Sequence, residues 1–144
     1  MATATIHGHE IHYVQRGDGE PLLLIQGMSG NHLHWGEPFM EELARDVAVT
    51  AYDHRGIGRS GRVEEPFTLV DLAEDAVALL DALGLESAHV LGISMGGMIA
   101  QEVALALLRE YAPARPVRLL GVRVASLDHG ERAATTDPQL ALPL

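Results

Sequence analysis

A chain of 144 residues, 47% apolar and 21% charged, has the length of one domain and can bury roughly 70% of its unfolded surface in one core. That composition excludes a disordered tail, a collagen-like fibre and a polar linker. Ten basic against 20 acidic residues give a formal charge of -10, which repels phosphate backbones and anionic lipid, so direct nucleic-acid and membrane binding are not expected. With no cysteine there is no disulfide, thiolate metal site or cysteine nucleophile. The first residues, Met1 to His7, lack the basic and apolar regions of a signal peptide. No apolar run approaches the roughly 20 residues of a bilayer span, and a cytoplasmic location is expected.

Residues 4–16 carry Ile6, Ile11, Tyr13 and Val14 around Gly8-His9 and predict a two-stranded hairpin. After the turn at Gly17-Asp18-Gly19-Glu20, Pro21 opens the run Leu22-Leu23-Leu24-Ile25, the mark of a strand buried on both faces. Gln26-Gly27-Met28-Ser29-Gly30 breaks that strand. Phe39, Met40 and Leu43 recur at helical spacing between Glu37 and Arg45. Val47 to Tyr52 predicts a further strand, and Asp53 to Gly61 a glycine-rich loop. Thr68 caps a helix to about Leu83, with Asp71 completing an acidic capping box and Gly84 ending it. His89 to Ile93 predicts another strand, and Met95 to about Leu108 a further helix. Strands alternating with helices imply parallel strands joined by crossovers. The fold class is α/β, with an antiparallel hairpin at its front.

Gly92-Ile93-Ser94-Met95-Gly96 is a Gly-x-Ser-x-Gly sequence where an apolar strand meets a helix, the setting of a nucleophile elbow. Ser94 is the candidate nucleophile. Gly92 and Gly96, with Gly97 beside them, let strand and helix fold back on each other. The Met95 N–H, at the positive end of the helix, is the nearest candidate oxyanion donor. A second donor is expected from the loop after an earlier strand, where Gly27 gives a flexible backbone and Met28 the N–H.

Two other patterns carry less. Gly56-x-Gly58-x-x-Gly61 formally matches a dinucleotide fingerprint, but Pro66 and Thr68 place the next helix too late for one. His7, His9 and His12 flank a turn on an edge hairpin, and solvated surface is the expectation over a metal site. His32 and His34 are open between lining a substrate mouth and loop solvation.

From about residue 4 to 111 the chain resembles the front half of an α/β-hydrolase of the esterase, haloperoxidase-like and methylesterase type. Pro21 to Trp35, Tyr52 to Ser60 and Gly92 to Met98 carry the likeness. The resemblance implies hydrolysis of an ester, thioester or lactone through an acyl-serine, without cofactor or metal. In that family a His-Gly pair commonly precedes the oxyanion donor, and here Gln26 replaces the histidine. The family places its acid and histidine after later strands. The sole histidine after Ser94 is His129, directly following Asp128. Adjacent residues cannot orient one imidazole between them, so a truncated sheet, inactive alone and self-associating through its exposed edge, is expected.

Residues 1–112 form the hydrolase half in this division, and 113–144 an additional strand with a flexible tail. The tail is similar, over about thirty residues, to the C-terminal end of Y-family translesion DNA polymerases. Arg115 to Val124 matches their closing strand, and Gln139, Leu140, Leu142 and Leu144 match a sliding-clamp peptide. The alternative function is therefore a non-catalytic fragment or fusion product that binds a DNA clamp.

Overall fold

The computed structural model describes residues 2–111. Strands β1 (Ala2–Ile6) and β2 (His9–Arg16) form the expected hairpin, followed by β3 (Glu20–Ile25), a 3₁₀ turn (His32–Trp35) and α1 (Glu37–Leu43). Next come β4 (Val47–Tyr52), α2 (Leu69–Ala82), β5 (His89–Gly92) and α3 (Met95–Tyr111). One five-stranded sheet results, in the order β1-β2-β4-β3-β5. β2 runs antiparallel to β4, while β3 is parallel to both β4 and β5. The α/β class with a leading hairpin is what the alternation of elements predicted.

The apolar run in β3 divides by parity, as a strand covered on both faces requires. Leu23 and Ile25 join Ile6, Ile11 and Tyr52 in the core under α2 and α3. Leu24 faces the other way, with Val49, Ala51 and Met40 of α1. Helices therefore cover both faces. At the start of α2 the Thr68 side chain accepts from the Asp71 N–H while Asp71 accepts from the Thr68 N–H. Such a cap contributes about 1 kcal/mol.

Sheet order sets where a site can form. The connection from β3 leads to β4 on one side, and the connection from β4 crosses back to β5 on the other side of β3. Where connections diverge in this way, a crevice opens beyond the carboxyl ends of the strands. Ile25 pairs with Gly92 across β3 and β5, and the Ile93 N–H donates to the Ile25 carbonyl at 3.1 Å. The loop after β3 and the turn after β5 thus leave the sheet side by side.

Two expectations are corrected. The hairpin is an edge only through β1, because β2 pairs with β4. His12, on β2, is consequently buried rather than solvated. The helix at 37–45 stops at Leu43, and a 3₁₀ turn too short to show a periodicity precedes it.

Candidate functional site

Ser94 occupies the turn between β5 and α3 with φ +55°, a left-handed conformation that costs a non-glycine residue about 1–3 kcal/mol. The turn is tight: the Gly96 N–H donates to Ile93 O and the Gly97 N–H to Ser94 O, each at 2.9 Å. A Cβ on Gly92 would collide with the Gly96 carbonyl, and one on Gly96 with the Ile25 carbonyl. Only glycines allow the first turn of α3 to press onto the ends of β5 and β3. The result is an exposed Ser94 at the head of a long helix. Met95 is the first residue of that helix, so its N–H has no intrahelical acceptor.

The loop after β3 passes beside Ser94. A Cβ on Gly27 would stand 3.2 Å from Ser94 Cβ and 3.6 Å from Ser94 Oγ, so glycine keeps this approach open. The Gly30 N–H donates to the Gly27 carbonyl at 3.0 Å, closing a turn in which Ser29 has φ +60°. Gly27 N–H is taken by the Gln26 side chain, whose Oε1 accepts it at 2.9 Å. Met28, by contrast, is exposed, and its N–H has no acceptor among the described residues.

Beneath this loop lies a polar layer that sequence reasoning passed over. Asp53, wholly buried at the end of β4, accepts through Oδ1 from the His32 N–H at 2.7 Å and from the His32 ring Nδ1 at 2.8 Å. Its Oδ2 accepts from the Arg59 N–H at 2.9 Å. Burial would push this carboxyl up, but the Arg59 and His32 donors together hold it below its ordinary range. His54, next along, directs Nε2 at the Gln26 carbonyl, 3.0 Å away. A carbonyl only accepts, so this nitrogen carries the proton. Nδ1 of His54 is buried without a partner, and burial pushes the imidazole below its usual pKa, against the pull of the Gln26 carbonyl and of Asp75 and Asp53.

His32 is therefore buried under the loop and bonded to Asp53, an anchoring role apart from the two left open for it. His34, exposed, instead accepts the Asn31 N–H within the 3₁₀ turn. The signal for the polar layer was in the sequence: Asp53-His54 follows a buried strand directly, and a carboxylate there must find donors.

His12, His32 and Asp53 offer three donor atoms within 4.8 Å of one another. Asp53 already accepts three hydrogen bonds, and its Oδ2 lies so close to Gly58 that no Cβ would fit there. The His32 Nδ1 is likewise committed. His12 Nε2, by contrast, is buried without a hydrogen-bond partner among the described residues. Asp128, His129, Gln139, Leu140, Leu142 and Leu144 lie outside the described residues.

A family model for the alpha/beta hydrolase fold matches residues 20–113. A relative in Azorhizobium caulinodans, a candidate carbamate hydrolase named RutD, is 44% identical over 97 residues, covering 67% of this chain and 36% of the relative. Est816, an N-acyl homoserine lactone degrading enzyme, superposes with TM-score 0.67 at 34% identity over 72% of this chain and 40% of its own. The epoxide hydrolase CorEH does so with TM-score 0.69 at 32% identity, over 73% and 37%. The chain belongs to the α/β-hydrolase family. It spans about two fifths of the length of these relatives.

Proposed function

We propose that Ser94 is the nucleophile of a serine hydrolase acting on a carboxylic ester, thioester or lactone. The observation that carries this is the exposed serine at positive φ, wedged by Gly92 and Gly96 at the head of α3. Its hydroxyl would add to the acyl carbon, placing negative charge on the former carbonyl oxygen. The N–H groups of Met95 and Met28 are the donors available to that oxygen. Collapse would expel the alcohol or thiol and leave an acyl-serine for water to cleave. The carbamate and lactone in the names of two relatives both contain an acyl carbonyl, which supports this class over epoxide opening.

A serine hydroxyl also needs a base. Among the described residues no side chain hydrogen-bonds to Ser94 Oγ. This chain alone should therefore turn over p-nitrophenyl esters negligibly, within the roughly 10³–10⁴-fold residual over water left when triad members are lost. A fluorophosphonate should label it slowly and stoichiometrically at Ser94, and Ser94→Ala should abolish the label. Labelling or turnover that survives Ser94→Ala would remove the serine-hydrolase reading. Brisk turnover lost in both Ser94→Ala and His129→Ala would instead reveal a compact triad using the tail.

A further inference from the structure

The peptide unit joining Gln26 to Gly27 is held at both ends. Its carbonyl accepts from His54 Nε2 at 3.0 Å, and its N–H donates to the Gln26 side-chain Oε1 at 2.9 Å. Both anchoring side chains are buried, His54 at 2% exposure and Gln26 at 9%. Gly30 closes over the same amide, since a Cβ there would stand 2.9 Å from Gln26 Oε1. We propose that His54 and Gln26 are positioning residues that lock this peptide, so that the Gly27 N–H is withheld from the crevice and the Met28 N–H is presented to it. The role rests on the serine-hydrolase reading of Ser94.

The physical reason is the chain's own freedom. Glycine has no Cβ to restrict its backbone, and Gly27 stands between the locked peptide and the Met28 amide. An unpinned 26–27 peptide next to a glycine flips at small cost. The flip would set the Gln26 carbonyl oxygen against its own side-chain Oε1 and turn the Gly27 N–H toward the His54 N–H, so the loop that carries the Met28 N–H would have to shift. Pinning both ends opposes the flip, because it would leave a buried histidine N–H and a buried amide oxygen without partners. A donor fixed before reaction stabilises charge without reorganisation. His54 suits the task because a neutral imidazole protonated on Nε2 gives one aimed donor.

The test uses the 144-residue chain and a fluorophosphonate probe, with the labelling rate at saturation separated from the probe concentration giving half that rate. His54→Phe keeps an aromatic ring and removes the donor. It should slow saturated labelling of Ser94 by about tenfold to a hundredfold, the scale of a misplaced oxyanion donor, while half-saturation moves less than about twofold. Hydrogen exchange across residues 26–30 should accelerate. His54→Gln, whose amide nitrogen can occupy the Nε2 position, should restore both readouts. If His54→Phe does not fold, Gln26→Met removes the Gly27 acceptor at similar bulk and should give the same two changes. Wild-type labelling rate and unchanged exchange in the folded variants would overturn the proposal. Wild-type protein that is not labelled at Ser94 would overturn the serine-hydrolase reading instead, and the positioning role with it, whereas the exchange arm reads the pinning separately.

Discussion

Gly92 faces the carbonyl of Gly96 so closely that no Cβ can be placed on it without displacing the first turn of α3. Gly96 stands in the same relation to the Ile25 carbonyl, whereas a Cβ on Gly97 would meet nothing nearer than Gly92 O at 3.5 Å. Three glycines in six residues therefore have two different reasons to be there. Gly92→Ala and Gly96→Ala should each destabilise the fold by about 1–3 kcal/mol or more, as overpacking does. Gly97→Ala should be neutral or stabilising by up to about 1 kcal/mol, from helix propensity. Urea unfolding of the three variants checks the contrast, and equal losses in all three would contradict it.

Much of this was legible in the chain because its signals are local. The parity of Leu22 to Ile25, the Thr68–Asp71 cap and the glycines around Ser94 each act within a few residues. Of the polar layer only the need of Asp53 for donors was legible; its partners were not, because they depend on which strands become neighbours. His12 is exposed in any isolated hairpin and becomes buried only when β2 pairs with β4. Asp53 and His32 are 21 residues apart in sequence and meet only across parallel strands. His7 reads as surface and is exposed, with its ring 3.1 Å from Asp75, which also binds Arg55.

The edge of the sheet gives a prediction about association. Among the described residues β5 pairs only with β3, and Leu91 and Ile93 are exposed on or just after it at 37% and 51%. An unpaired strand edge with apolar side chains is a template for another strand. The chain should self-associate in sedimentation at micromolar concentration, and Leu91→Lys should shift it toward monomer. A monomeric, sharply melting wild-type protein would contradict this.

The terminal sequence gives an independent prediction. If Gln139 to Leu144 is a clamp peptide, Gln139 and the three leucines should anchor in an apolar groove. A synthetic peptide of residues 135–144 should bind a bacterial sliding clamp at about micromolar strength, as short unconstrained peptides do. Replacing Gln139 and Leu142 with alanine should abolish binding. An intact peptide that shows no binding at high concentration would exclude the clamp function.

The buried histidines fix how stability depends on pH. Burial lowers the pKa of both His12 and His54 from the ordinary 6.5, outweighing the pull of nearby Asp53. As pH falls below that value, the unfolded chain takes up protons that the folded chain refuses. Stability is thus fully present above about pH 6.5 and declines on acidification toward the folded-state values. The slope is up to about 1.4 kcal/mol per pH unit for each histidine. Asp53 acts in a second, lower window: its folded pKa lies below the ordinary 3.8, so its contribution is present above that value and lost as pH falls through the folded one. The urea midpoint should therefore drop between pH 7.5 and 5.5, and His54→Gln, which does not titrate, should flatten part of that drop. A midpoint constant over this range in the wild-type chain would show that these imidazoles titrate alike in the folded and unfolded states.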